Sequence, residues 1–539
     1  MNCVSLSQRM GKFRFPLWLF ILTLLAPVLA VAQTQSITVT VTTNAEGDLA
    51  PRFLGLSYET SMLLPKDGRY YFDSKDQALI NTFHTLGIKS LRVGANAVDD
   101  PRVPIPQEKD IDELFDFARA AGVKVIYSFR LKNGDPTNSA HLAGYIATND
   151  ADVLDCFSIG NEPHLYGRVK TNETNLHGFA RTDAPSLNRS SRTNRLNSSR
   201  SAGTYNYFYA HWRPEYDAIL KAVPSAMFDG PSADANFAVH LAKDVFADGH
   251  LAMASDHYYF LGSGRAAETN PPASRVRFLS NNLDNDYEKD YARVGAVLAA
   301  RGVPYRIDEM NSCYNGGAKD SSDTYASTLW ALDCTHWWAS HHILGLNYHT
   351  GESVGRDGGF GPPNYAAFLR QTDGDGFIMR PQAYAYLAFS QGAHGRPLDV
   401  KMQTRRMTSN FSTRGAHDFS IGAKKQETPV FNFNAYAYLD GDGSVYLTLI
   451  NKSYGDKAQP ASVSLKFPQN TGRGVWQKMD LVQKDQNIAA KTDVMLGGAT
   501  VDTQGMWRGQ WEKIEGGHSR KLTILVAPAS ATILHFSPE

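Results

Sequence analysis

Eight short apolar runs, separated by amphipathic stretches, constrain the fold of this chain more than any other feature. They are FLGLSYE (53–59), SLRVGAN (90–96), KVIYSFRL (124–131), CFSIGNEP (156–163), MFDGPS (227–232), MASDHYYF (253–260), PYRIDEMNS (304–312) and ILGLNYH (343–349). Between them lie helix candidates such as EKDIDELFDFARAAGV (108–123), where Ile111, Leu114, Phe115 and Ala118 recur at helical spacing before Gly122. Strands alternating with helices imply a parallel sheet, and eight such units imply closure. The expectation is an α/β chain with a (β/α)8 TIM barrel over residues 51–391. A doubly wound open sheet fits less well, because no Gly-rich phosphate loop follows the first strand.

Beyond Arg396 the texture changes. YAYLDGDGSVYLTLINKS (436–453) and KLTILVAPASATILHFS (521–537) alternate apolar and polar residues, with turn residues Asp440 to Gly443 between two runs. Residues 392–539 therefore read as a C-terminal all-β sandwich. SITVTVTT (36–43) has the same β-branched character, and the 33–50 segment is expected to add a strand to that sandwich; the alternative is a lone strand at the bottom of the barrel. Residues 1–32 read as a signal peptide: Arg9, Lys12 and Arg14 precede an apolar run, and Ala30 and Ala32 suit the cleavage site. A membrane anchor is the alternative, but the unbroken apolar stretch is short for a span. The expected location is secreted or periplasmic, with no membrane attachment after cleavage.

A chain of 539 residues exceeds one ordinary core, in line with two domains. Lys+Arg and Asp+Glu balance at 54 each, which argues against a nucleic-acid binder steered by net charge. The stretch from Arg168 to Arg200 departs from this balance, with seven Lys/Arg against two acidic residues. It reads as a solvated insertion, or as a surface touching an acidic substrate. Cys3 leaves with the signal, and Cys156, Cys313 and Cys334 remain, so at least one thiol is free or pairs between molecules. Their spacing carries no zinc pattern, and neither a metal nor a cofactor is expected.

In barrels of this kind the chemistry sits at the C-terminal ends of the strands. The fourth run ends Asn161-Glu162-Pro163 and the seventh Asp308-Glu309-Met310-Asn311, so both glutamates project into one mouth. Glycoside cleavage needs two facing carboxyl groups, one to protonate the leaving oxygen and one to attack the anomeric carbon. Asn161, beside the first, is placed to bind the sugar 2-hydroxyl. Taken singly, each glutamate could equally be a strand-end member of an ion pair.

FLGLSYE, LRVGAN, SIGNEP, DHYYFLGSGR, DEMNSCYNGG and FGPPNY follow in this order on these strands. On them the chain resembles glycoside hydrolase family 79, which holds bacterial β-glucuronidases and the animal heparanases, within the clan of retaining (β/α)8 glycosidases. The resemblance implies Glu162 as acid/base and Glu309 as nucleophile. It also implies a tyrosine at the end of the sixth strand bonded to the nucleophile, matched to Tyr258 rather than Tyr259, with His257 on the same wall. Glu59 and Asn96 match positions that bind sugar hydroxyls. The Tyr314-Asn315-Gly316-Gly317 turn, helped by Tyr365, matches the site for the uronic-acid carboxylate. Successive backbone N–H groups in such a turn form an anion-binding nest, which holds a carboxylate without placing a cation beside Glu309. Burial is expected to raise the pKa of Glu162 for its acid role.

The activity implied is a retaining exo-β-glucuronidase acting on glucuronic-acid-containing oligo- or polysaccharide. Alternatives are an endo-acting, heparanase-like enzyme, a clan member acting on a neutral sugar, and a non-catalytic carbohydrate-binding protein. The neutral balance and the long 351–376 loop favour the exo-acting form.

Overall fold

The computed structural model describes residues 34–166, 197–404, 432–467, 474–515 and 521–539, apart from positions 46, 282, 353, 357–358 and 373–374. The segment 1–32, read above as a signal peptide, lies outside them, as do most of the basic 168–200 stretch and part of the 351–376 loop.

All eight runs become strands of one closed, fully parallel barrel. After the first strand of the chain, β1 (Gln35–Ala45), these are β2 (Leu54–Glu59), β3 (Ser90–Gly94), β4 (Lys124–Phe129), β5 (Leu154–Ile159), β6 (Phe228–Ala233), β7 (Leu251–Tyr259), β8 (Tyr305–Asn311) and β9 (Gly345–His349). Pairing of β9 with β2 closes the ring. The two faces differ in chemistry. Outward side chains such as Leu56, Tyr58, Leu91, Val93, Phe157 and Ile159 join the large apolar core beneath the helices. The interior instead holds Ser57, Arg92, Ser158, Asp229, Ser255, Arg306, Asp308 and Asn347, all almost fully buried. Such a filling is tolerable only if the polar groups satisfy one another. Arg306 illustrates this, donating to Asn347 Oδ1 at 2.6 Å and to the Arg52 carbonyl at 2.9 Å.

The C-terminal region is a ten-stranded sheet in one continuous path rather than two separate sheets. Its order is Val494–Leu496, Gly474–Gln483, Ser530–Pro538, Val445–Asn451, Phe433–Leu439, Arg396–Thr404, β1, Ala461–Lys466 and Lys521–Val526, with Glu512–Lys513 beside Gly474–Gln483. β1 runs antiparallel to Arg396–Thr404 and parallel to Ala461–Lys466. The sheet folds over on itself: Asn451 Nδ2 donates to the carbonyl of Val526, at the far edge of the path, at 3.2 Å. Ile37, Val39, Leu447, Leu449, Trp476, Ile524 and Phe536 fill the core so enclosed.

The opposite face of this sheet packs on the barrel through two apolar helices, Tyr325–Ala339 and Ala383–Gly392. All fifteen residues of the first are buried, as expected of a helix apolar around its circumference. Its first turn is capped across the junction, where Tyr325 N and Ala326 N donate to the carbonyls of Ala490 and Ile488. Cys156, Cys313 and Cys334 are all buried, and none forms a disulfide with another described residue.

Candidate active site

The C-terminal ends of the barrel strands gather acidic, imidazole and phenol side chains into one cluster. Glu59 ends β2, Asn96 follows β3, Glu162 follows β5, His257 and Tyr259 lie at the end of β7, Glu309 on β8 and His349 at the end of β9. Strand alternation alone would turn only one of the consecutive pair Asp308 and Glu309 inward. The structure turns both inward, because β8 carries an extra residue there. Asp256 and His257 of β7 stand opposite Ile307 and Glu309, while Leu346 and Tyr348 of β9 stand opposite Ile307 and Met310. Such a bulge re-aims side chains next to functional sites.

Arg92 ties the cluster together from below. Its side chain is fully buried. Nη1 donates to Glu309 Oε2 at 2.8 Å and to Ser57 Oγ at 2.9 Å, Nη2 donates to Asn161 Oδ1 at 2.8 Å, and Nε lies 3.0 Å from Asp308 Oδ2. A cation thus stands beside Glu309, supplied by the barrel floor and not by the Gly-rich turn. The arginine is compatible with a charged nucleophile because Asp308 behind it offsets its charge. Asn161 Nδ2 in turn donates to Asn96 Oδ1 at 3.2 Å.

A correction concerns the tyrosine beside Glu309. It is Tyr259, whose hydroxyl donates to Glu309 Oε1 at 2.7 Å. Tyr258 faces the helix layer, its ring 6.2 Å from Tyr287 and 6.1 Å from Trp338. The signal lay in the strand period: residues two apart share a face, so His257 pointing inward takes Tyr259 with it and turns Tyr258 away. His349, which the sequence reading did not single out, lies with Nδ1 3.5 Å from Glu309 Oε1 and Nε2 3.7 Å from Glu59 Oε1. Tyr365 is buried, with its hydroxyl 3.2 Å from the same Nδ1.

Glu162 occupies a left-handed conformation, φ 45° and ψ 47°, with its N–H donating to the Ser232 carbonyl at 2.8 Å. A non-glycine residue held there is strained by roughly 1–3 kcal/mol and persists only where surrounding structure enforces it. Its Oε1 lies 3.1 Å from His257 Nδ1, and its side chain is 22% exposed against 3% for Glu309. Burial pushes Glu162 up, but the hydrogen bond and charge of His257 outweigh burial, and the net shift is downward. The expected rise in this carboxyl is therefore not found. Burial would also raise Glu309, yet the charges of His349, His257 and Arg92 and the Tyr259 hydrogen bond hold it far below the usual carboxylate range. For Glu59, burial dominates and pushes the carboxyl up to about 8, although Ala97 N donates to its Oε2 at 2.7 Å.

The Gly-rich turn stands beside this cluster. Asn315, Gly316 and Gly317 are all left-handed, with φ of 62°, 76° and 78°. Gly316 and Gly317 are buried, and the N–H groups of Asn315 and Gly316 have no acceptor among the described residues. A Cβ on Gly317 would lie 2.9 Å from Tyr365 Cδ1 and 3.0 Å from Tyr365 N, so only glycine fits. The turn is fastened to the Tyr365 segment by Asn364 N donating to the Gly316 carbonyl at 2.6 Å. Tyr314 meets Tyr259 edge-on at 6.2 Å. Donors without acceptors, next to two buried carboxylates, make a pocket suited to an anionic group attached to a polyhydroxy ligand.

No family model matches the chain. Among curated proteins it is 27% identical over 131 residues to a β-glucuronidase of Aspergillus niger, a match covering 23% of each chain. The match thus spans under a quarter of that relative's length. Solved structures align over nearly the whole chain. They include a GH51 arabinofuranosidase of Xanthomonas axonopodis pv. citri (TM-score 0.59, 14% identity, 93% of this chain and 100% of that one). A 4-O-α-L-rhamnosyl-β-D-glucuronidase of Fusarium oxysporum 12S aligns with TM-score 0.58 and 17% identity over 92% and 99%. A β-xylosidase of Caulobacter crescentus aligns with TM-score 0.54 and 14% identity over 94% and 100%. The parallel barrel with its C-terminal β-sheet domain is thus the fold of two-domain glycoside hydrolases.

Proposed function

We propose that this chain is a retaining, exo-acting β-glucuronidase that removes terminal β-D-glucuronic acid from glycans, with Glu309 as nucleophile and Glu162 as acid/base. One observation carries the reading: two carboxyl groups face one another across His257, beside a turn of unpartnered N–H groups. His257 Nδ1 is 3.1 Å from Glu162 Oε1 and 3.9 Å from Glu309 Oε1. Those two oxygens are therefore at most about 7 Å apart, which suits a retaining pair at roughly 5–5.5 Å better than an inverting one at roughly 6.5–9.5 Å.

In the first step Glu309 attacks the anomeric carbon while the glycosidic oxygen takes a proton from Glu162. A covalent glycosyl-enzyme forms and the aglycone leaves. In the second step Glu162 accepts a proton from water, which displaces Glu309 from the anomeric carbon and restores the β configuration. Arg92 and Tyr259 keep Glu309 ionised and fixed in rotamer. Asn161, oriented by Arg92 and Asn96, is placed to hold the 2-hydroxyl, and Glu59 to receive another sugar hydroxyl. The N–H groups of the 315–317 turn, with Tyr314 and Tyr365 beside them, would receive the uronate carboxylate. If residues 1–32 act as a signal peptide, the reaction takes place outside the cytoplasm.

Initial rates on p-nitrophenyl β-D-glucuronide, β-D-glucoside and β-D-xyloside test the reading. A strong preference for the glucuronide supports it. Turnover of a neutral sugar alone would keep the two glutamates and overturn the carboxylate site. Within this scheme Gly317→Ala should lower kcat/KM on the glucuronide roughly tenfold or more, by displacing donors to a charged group, while sparing any residual neutral-sugar activity. An equal loss on all three sugars would count against the anion-binding role.

Tyr259→Phe removes one hydrogen bond to a charged nucleophile, worth about 1.5–3 kcal/mol. Its kcat should fall about tenfold to a hundredfold, with Tyr258→Phe near wild type. The reverse ranking would refute the assignment.

A further inference from the structure

The floor of the site holds a carboxylate that the double displacement does not use. Asp308 is fully buried: Oδ2 receives Ser232 Oγ at 2.5 Å and lies 3.0 Å from Arg92 Nε, and the Asp229 carboxyl hydrogen-bonds the same carboxylate. Oδ1 has no hydrogen-bond partner among the described residues. His257 Nε2 lies 3.7 Å from Oδ1 and has no hydrogen-bond partner among the described residues either. The other nitrogen of the same ring, Nδ1, lies 3.1 Å from Glu162 Oε1. The imidazole thus stands between two carboxylates, one at each nitrogen. Catalytic hydrogen bonds are often long in the free protein and shorten when substrate is bound.

We propose that Asp308 is a positioning residue that holds His257 doubly protonated against Glu162, so that His257 rather than Glu162 stores the leaving-group proton in the free protein. This rests on the reading of Glu162 as acid/base. As the glycosidic bond breaks, the proton of His257 Nδ1 passes to Glu162 and from it to the aglycone oxygen, leaving a neutral imidazole and an ionised Glu162. In the second step the proton from the attacking water passes to Glu162 and back to His257. The cycle is balanced and needs no other reactant.

The groups facing the ring agree with this role. Glu162 approaches from the β5 side, Asp308 and Glu309 from β8 and His349 from β9, and Asp256 precedes it on β7. Burial alone would lower the His257 pKa, but Glu309, Glu162 and Asp308 outweigh it and push it up to about 9. Burial and the neighbouring Asp308 charge push the Asp229 carboxyl well above its ordinary value.

The pH profile of kcat/KM on alkyl and p-nitrophenyl β-glucuronides tests the proposal. In the wild type the proton is present below the His257 pKa, so activity should fall as pH rises through about 9. Asp308→Asn removes a charge that favours the imidazolium, and the basic limb should move down by about 1–2 pH units. The loss should be larger for the alkyl glucuronide, whose poor leaving group needs the proton, than for p-nitrophenolate. A merely structural role would lower both substrates equally and leave the limb in place, and that result would overturn the proposal. If Asp308→Asn fails to fold, His257→Gln decides: it keeps a donor to Glu162 but has no transferable proton. An unchanged basic limb in that variant would equally overturn it. Wild-type inactivity on every aryl glycoside would instead defeat the acid/base reading itself.

Discussion

Glu309→Gln is expected to lower kcat on an aryl β-glucuronide by roughly 10^4-fold or more, the scale seen when a covalent nucleophile is removed. The amide is isosteric with the carboxylate. Its oxygen can still accept from Arg92, which holds Oε2 at 2.8 Å, or from Tyr259, which holds Oε1 at 2.7 Å. The fold should therefore survive, and the loss should be chemical. Arg92 keeps Asp308 as a charged partner at 3.0 Å, so the change does not strand the guanidinium. Azide makes the experiment sharper. Added to Glu309→Gly, it can enter the vacated space and attack from the nucleophile's side, giving the α-glucuronosyl azide. Added to Glu162→Ala, it can attack the glycosyl-enzyme and give the β-azide. Opposite anomers from the two variants would fix both roles. Activity within tenfold of wild type in Glu309→Gln would remove Glu309 from the nucleophile's place.

The largest effect on stability is expected at the junction of barrel and sheet. Lys452, just beyond the strand Val445–Asn451, places Nζ 2.6 Å from Asp333 Oδ2, and both side chains are fully buried. Asp333 also receives Asn434 Nδ2 at 2.7 Å and Tyr436 hydroxyl at 2.8 Å. Asp333 belongs to the helix Tyr325–Ala339, while its three partners belong to the C-terminal sheet. Lys452→Met leaves a buried carboxylate with neutral donors alone, at a cost of about 3–5 kcal/mol. The double variant Lys452→Met/Asp333→Leu removes both charges and should recover much of that loss, since a well-packed apolar pair can match a buried ion pair. Denaturant unfolding of the three proteins checks this. A single variant within about 1 kcal/mol of wild type, or a double variant no more stable than Lys452→Met, would contradict it.

The barrel was legible in the sequence because a parallel strand buried on both faces must be an apolar run, and eight such runs separated by helical patterns have few other ways to close. For the same reason the fourth and seventh strand ends located Glu162 and Glu309 at one mouth without any knowledge of packing. The strand period also held the answer at Tyr259, because His257 and a neighbour two residues on must share a face. Matching the motif to Tyr258 set that rule aside. Arg92 carried a weaker signal, a cation in the middle of the run SLRVG, where an interior position of an apolar strand is an improbable place for an unpaired charge.

What only the tertiary structure decided depends on groups distant in the chain meeting at close range. The inward turn of both Asp308 and Glu309 comes from an extra residue in β8 relative to both neighbouring strands, which no local pattern announces. The direction of the Glu162 shift is another case. Burial, which the sequence reading anticipated, is outweighed by His257, ninety-five residues away. The C-terminal strands alternate as a sandwich should, but their joining into one folded sheet follows from β1 bridging Arg396–Thr404 and Ala461–Lys466. Local sequence sets which face of a strand or helix is apolar, because that is a matter of period. Charge balance in the interior is a sum over neighbours, and only the folded chain determines who the neighbours are.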